Sequence, residues 1–447
     1  MEVFMEQKKV RGFGFRGWML FVYQFLAYIA FVVFTNWPMN VLGSTISTSL
    51  GQNESFIATV YTVAMVIGIV IQLILSRNIG KFKSIKNLAS VLGIISMVLA
   101  IVETLINPFT SPLAFTIVYF FECLIVTLWC TFLIGILIGQ WFPRRKGTFM
   151  GLVTIAFPAA NAIMSQWIGV VFTKGTLQAF LPYTIACLIG LIIGIIFVPD
   201  FPEQCGAFRD NDKNMTPEMA KQMMETEIEN RKTTVWTVKE TFSSAGFWLI
   251  TIPMGFILMF SVGMMSQSTG IIGNYFDITS SSFTLIMLGV AAMACVGSYV
   301  LGLIDTKFGT RKAMIIACCF MVASGIIGMI KTPVCMIIGL VLLGVFMGAS
   351  SNFTVSGAVQ YWRIEDFPSV FARVNPIANL MQAAAPMLIA MLLNNFGYTY
   401  DFLAALICGV ISIVLLLIFK PSMVKKKDDK LREKAGKPLD DVLVGRK

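Results

Sequence analysis

The sequence predicts an all-α membrane protein: twelve transmembrane helices in two pseudo-symmetric six-helix bundles, with both the N and C termini cytoplasmic. Three observations predict it. Of the 447 residues, 57% are hydrophobic and 13% charged, where a soluble domain carries about a quarter charged. The apolar residues fall into membrane-length runs, six before a polar break and six after it. One element also occurs twice: Pro158-Ala159-Ala160-Asn161 matches Pro376-Ile377-Ala378-Asn379, and Gln140-Trp141 is echoed by Gln360-Tyr361 at nearly the same offset. Two halves with the same element in the same place indicate an internal duplication.

The apolar runs are 18–40, 56–76, 85–106, 113–138, 147–172 and 179–198, then 246–269, 281–304, 313–330, 333–358, 369–394 and 398–420. Each is close to the ~20 residues that span a bilayer. They divide the chain into an N-terminal segment 1–17, a first bundle 18–198, a central loop 199–245, a second bundle 246–420 and a tail 421–447. The first run is too long for a signal peptide and shows no clear cleavage site, so it reads as a retained first helix. Cations fix the orientation. Arg77, Lys81, Lys83 and Lys86, then Arg144-Arg145-Lys146, then Lys307, Arg311 and Lys312, then Arg363 and Arg373, lie in or beside even-numbered gaps, and Lys425-Lys426-Lys427 in the tail. Odd-numbered gaps hold Lys174 and Lys331. Positive residues stay inside, which makes these gaps and both termini cytoplasmic.

In the central loop, Thr216-Pro217-Glu218 has the pattern of an N-cap, a proline at the first helical position and an acid in the first turn. Met219, Met223 and Ile228 then share a face, which predicts an amphipathic helix on the inner surface. The tail, charged and poor in apolar residues, reads as flexible. The net charge of +10 is spread over short loops and suits an anionic inner leaflet, not a nucleic-acid face. The nine cysteines have no metal or framework spacing, and the chain contains no histidine. Histidine-based catalysis, metal sites and proton relays are thereby excluded. No phosphate-binding loop of a primary pump occurs.

The loop Gln140-Trp141-Phe142-Pro143-Arg144-Arg145-Lys146-Gly147, together with the two-half plan, resembles the major facilitator superfamily. Pro202-Glu203-Gln204-Cys205-Gly206, the stretch Trp236-Thr237-Val238-Lys239-Glu240 before Phe247-Trp248-Leu249, and Gly302 to Lys312 are similar to its oxalate/formate antiporter and monocarboxylate-porter branch. The resemblance implies a secondary transporter of small organic solutes, a monocarboxylate or related organic anion, working by proton symport or solute antiport. It also implies a cytoplasmic latch in which Asp305 engages cations, here assigned as Arg144, Arg145 and Arg311. Two departures stand out. The first-half copy of the loop, Leu75 to Lys81, lacks the acid. Oxalate transporters of this branch use cations in spans eight and eleven, whereas span eight here has none and span eleven only Arg373, which disfavours oxalate itself.

The fold implied by the resemblance brings spans one, two, four and five to face seven, eight, ten and eleven. Their mid-depth polar residues are the candidate substrate-binding set: Tyr28, Tyr61, Asn161, Gln267, Asn352, Asn379 and Gln382. Helix-to-helix hydrogen bonding is the competing role for each. Asn161 and Asn379 stand out because the duplication places both at mid-depth. Glu122, about 13 Å from the outer end of span four, is the candidate proton-coupling acid; Glu103 is expected nearer a membrane end and water. A multidrug or amphiphile exporter of the same fold is the alternative function, and a membrane enzyme is disfavoured. No cofactor or metal is expected. The partners are a small-molecule substrate, the bilayer and a proton, the chain acting as a monomer in a prokaryotic inner (plasma) membrane.

Overall fold

The structure, a computed structural model, describes residues 12–53, 56–162, 174–212, 214–277 and 280–439. Among these, ten helices are long and apolar enough to cross a membrane, and a pair bent by 45° makes an eleventh. Span one, Gly14–Ser49, runs beyond its expected end near residue 40. Pro38 removes a backbone donor, but the helix widens into π-turns at Val32–Asn36 and Pro38–Leu42 and continues. Spans two and three are Phe56–Ser76 and Ile85–Leu105, span four is Pro112–Trp141 and span six Thr176–Phe197. Span five begins at Lys146 and is followed to residue 162; the rest of that apolar run, 163–172, lies outside the described residues.

In the second half, span seven is Ala245–Ser266, span eight Ser281–Phe308 and span nine Thr310–Gly328. Span ten is the bent pair, Pro333–Ala349 and Asn352–Tyr361, broken at Ser350-Ser351. Spans eleven and twelve are Phe367–Phe396 and Tyr398–Ile418. Spans three, six, nine and twelve carry exposed apolar side chains, among them Val98, Ile189, Ile326 and Val414, as lipid requires. Two hydrophobic cores follow the two halves. Tyr61, Phe132 and Trp141 are in the first; Met254, Phe346 and Phe402 are in the second.

The halves meet where spans five and eight cross. A Cβ on Gly151 would stand 2.6 Å from the Ser298 carbonyl and 2.9 Å from the Gly302 Cα. Glycine at both positions lets the backbones touch. Ser298 donates to the Gly151 carbonyl at 2.7 Å and fixes the register.

Two expectations are corrected. The tail is not flexible over its first part. Pro421–Ala435 is a helix, with Val424, Asp428 and Arg432 buried. Arg432 pairs with Asp366, with Glu365 at 3.0 Å and with Asp428 at 3.1 Å, and Arg363 pairs with Asp428 at 2.7 Å. The charges read as solvating are the docking surface. The central helix, Pro217–Arg231, starts as expected, with Thr216 Oγ1 accepting from Met219 N at 3.3 Å. Its apolar face is split, however. Met223 packs on the first core while Met219 and Ile228 are exposed. What holds the helix is ionic: Glu227 pairs with Arg209 and Arg231, and Arg209 with Glu203 at 2.8 Å.

Candidate solute cavity between the halves

Span eleven carries Asn375, Asn379 and Gln382 at spacings of four and three, which puts them on one helical face. That face lines a cavity between the halves. The break in span ten turns Ser350, Ser351 and Thr354 toward the same space, and span seven adds Ser261 beside Leu258 and Val262. The first half supplies the opposite wall: Tyr28 and Phe31 from span one, Met65 from span two, Thr131 and Gly135 from span four, Phe157 from span five. One wall is therefore amide and hydroxyl, the other mainly aromatic and aliphatic. Among the described residues, no charged side chain is in the lining.

The polar wall is partly engaged. Asn375 Nδ2 donates to Gln72 Oε1 across the halves at 3.0 Å. The hydroxyls of Thr131, Ser261 and Ser350 donate to carbonyls of their own helices at 2.8, 2.6 and 2.8 Å. Asn379 Nδ2 is buried without a partner.

Of the residues expected to bind solute, Tyr28, Asn379 and Gln382 line the cavity. The others lie elsewhere. Asn161 turns back on its own helix and donates to the Phe157 carbonyl at 3.0 Å. Asn352 accepts from Thr154 Oγ1 at 2.8 Å in the seam between halves. Gln267 caps the end of span seven. Tyr61 is buried in the first core. Asn375, Ser261 and the Ser350-Ser351 break were missed. A polar pair inside an apolar run, and an Asn one turn before Asn379, were the available signals.

Glu122 is fully buried and accepts from Ser96 Oγ at 2.7 Å, leaving Oε2 without a partner. Glu103 corrects the expectation of easier access to water: it is equally buried, neither oxygen has a partner, and it lies within electrostatic range of Glu122. Packing of spans three and four, not distance along span three, decides its access. Neither acid lines the cavity, and among the described residues neither joins an ion pair.

The expected latch is not one cluster. Call the end of the molecule bearing the linker and tail helices the linker face. There, of the four residues assigned to the latch, Asp305 is the one placed against the other half. A Cβ on Gly147 would stand 2.7 Å from its Oδ2. Next to it, Thr148 N donates to Thr306 Oγ1 at 2.7 Å. The acid thus faces the N-terminal turn of span five, where negative charge is favoured, and feels the Lys146 cation. Arg144 pairs with Asp212 at 3.1 Å in its own half. Arg145 donates to the Gly12 carbonyl at 2.6 Å and lies over the Phe13 ring. Arg311 donates to the Leu416 and Leu417 carbonyls at 2.7 and 3.1 Å, where span twelve ends. Aromatic packing completes the closure, with Phe367 against Gly139 and Phe371 against Gly135. Arg373 faces the linker, donating to the Trp236 carbonyl at 2.7 Å and Thr241 Oγ1 at 2.6 Å.

Residues 251–446 match the family model described as Major Facilitator Superfamily. Solved structures share the fold. The human organic anion transporter MFSD10 (TETRAN) matches at TM-score 0.67 and 11% identity, over 89% of this chain and 98% of that one. The proton:xylose symporter XylE bound to 6-bromo-6-deoxy-D-glucose matches at TM-score 0.67 and 14% identity, over 91% and 96%. No curated protein sequence matches. The architecture is the major facilitator fold.

Proposed function

We propose that the chain is a secondary transporter of the major facilitator superfamily, moving a small organic solute by alternating access through the cavity between its halves. The observation that carries this reading is the cavity's place. It lies where the two halves meet, and closure on the linker face rests on a few side chains, Phe367, Phe371 and Asp305, that a rocking motion can separate. The linker face is cytoplasmic, as the cation distribution requires, and the chain works as a monomer in the plasma membrane. Glu122 is the proton-coupling acid, with Glu103 as its neighbour. An intramembrane acid without a cation is a functional group by default.

The loop motifs favour a carboxylate solute; the uncharged lining weighs against it. A second reading, an exporter of apolar amphiphiles, is favoured by the wall of Phe31, Met65 and Phe157. The test is counterflow in liposomes containing the purified protein, across organic acids, neutral polar solutes and amines. Uptake no greater than in protein-free liposomes for every class sinks the reading. Exclusive movement of amphiphiles out of the cytoplasmic compartment selects the second.

A further inference from the structure

We propose that the solute is neutral and rich in hydroxyl groups on one face, of the polyol or monosaccharide class, an inference that rests on the transport reading above. Charge gives the first argument. Among the described residues no Lys, Arg, Asp or Glu lines the cavity, and the stretch 163–173, outside the described residues, contains no ionisable side chain. Arg373, the cation within span eleven, spends its guanidinium on the linker. An ion entering this space would lose its hydration with no counter-charge to replace it.

Counting protons gives the second argument. A hydroxyl has one proton to donate and two lone pairs to accept with. Thr131, Ser261 and Ser350 each commit that proton to a backbone carbonyl, and Thr354 does the same to Ser351 at 3.3 Å. These four side chains offer the cavity lone pairs only. At those four side chains a carboxylate, itself acceptor-only, meets acceptors, while a solute with its own O–H groups meets partners. Donors stand beside them in Tyr28, Ser351, Gln382 and Asn379, and the Asn379 Nδ2 is buried and unpartnered, so the lining suits a solute that both donates and accepts. A solute oxygen placed on that Nδ2 relieves an unsatisfied group, which is where discrimination by hydrogen bonding is strongest.

Shape gives the third. The wall facing these groups is formed by Tyr28, Phe31 and Phe157. Aromatic rings accept the C–H face of a ring or chain whose hydroxyls point the other way. A solute polar all round would leave hydroxyls against apolar surface.

The experiment measures counterflow and thermal shift with xylitol, myo-inositol and D-glucose, against L-lactate and choline. At least one of the three neutral solutes should exchange and raise the Tm, with lactate and choline at background. Asn379→Asp and Gln382→Glu, nearly the same size, should each lower that exchange at least tenfold while eluting as folded protein. Movement of lactate or choline with none of the neutral solutes overturns the class and leaves the transport reading standing. Undiminished exchange in both folded variants overturns the class as well. Failure of all five probes to move or to shift the Tm overturns the class and takes the transport reading with it.

Discussion

The repeated Pro-x-Ala-Asn element has two fates. In span five, Asn161 folds back onto the Phe157 carbonyl and the ring of Phe157 meets the cavity. In span eleven, Asn379 stands in the wall with its Nδ2 free, flanked by Asn375 and Gln382. Corresponding spans differ as well: Glu103 and Glu122 are buried among spans three and four of the first half, while spans nine and ten of the second place Ser324 on the Gly339 carbonyl at 2.7 Å, and the second half's buried acid, Asp401, is in the first turn of span twelve. On the proposed function, the two halves share one backbone plan while their side chains separate solute recognition from proton handling. A mutation should therefore affect one task according to its half.

The halves also pack differently, and breaking that packing has the largest expected effect. In the second half a Cβ on Gly348 would strike the Ala294 carbonyl, and one on Gly344 would lie 2.5 Å from the Val290 carbonyl. In the first half Gly190 faces the Leu26 side chain at 2.6 Å. Helix backbone cannot step aside as a leucine can. Gly348→Val should yield no folded protein, and Gly348→Ala should lower the Tm well below that of Gly190→Ala; overpacking typically costs about 1–3 kcal/mol. Equal Tm losses for the two alanine variants remove the distinction.

Next comes coupling. Glu122→Gln mimics the protonated acid and should abolish accumulation driven by a pH gradient while sparing exchange at equal pH. Concentrative uptake by the mutant in gradient-loaded liposomes would show that the acid of the first half is not the coupling site. Asn379→Ala should then lower exchange about tenfold, against less than twofold for Asn161→Ala. A comparable loss in both would restore the symmetric role that the repeat alone suggests.

Much of the fold was legible because lipid permits few solutions. Apolar runs had to be helices, and their number and division needed no tertiary detail. The site was legible only in part. Asn379 and Gln382 could be found from their depth, but depth does not reveal which way a side chain turns, so Asn161 and Asn352 look the same in sequence as residues of the wall. Arg373 was visible as a cation in span eleven; its engagement by Trp236 and Thr241 depends on where the linker folds. Asp305 was legible as an acid at the end of span eight, and the cation that acts on it is Lys146, the neighbour of the Arg144 and Arg145 assigned from sequence. The tail helix was missed because composition counts charges without showing that they are paired and buried.

The two ion networks on the linker face give the last and smallest effect, and one acid in each, Glu227 and Asp366, differ in sign. In the first-half network burial pushes the Glu227 carboxyl up, but Arg209 and Arg231 outweigh it and hold the acid below its ordinary range. In the tail network burial pushes Asp366 up, and Arg432, with the Thr234 hydroxyl, does not fully offset it; Asp428 adds to the rise. A lowered folded value means the unfolded state binds the proton more tightly. Glu227 therefore contributes stability above its unfolded pKa, and that is lost only as pH falls through the depressed value. A raised value means the reverse. Asp366 contributes stability that is full below its unfolded pKa and is lost as pH rises through the folded one. Acidifying from pH 7.5 to 5 should thus cost the helix 217–231 no amide protection. The helix 421–435 should gain protection as pH falls through the folded value of Asp366, once intrinsic exchange rates are corrected. Arg432→Met should lower protection of the helix 421–435 at both pH values, because it removes the cation that Glu365, Asp366 and Asp428 share. Hydrogen exchange read by mass spectrometry resolves the two helices separately. Deprotection of 421–435 on acidification, or a loss at 217–231 above pH 5, would contradict the opposed signs.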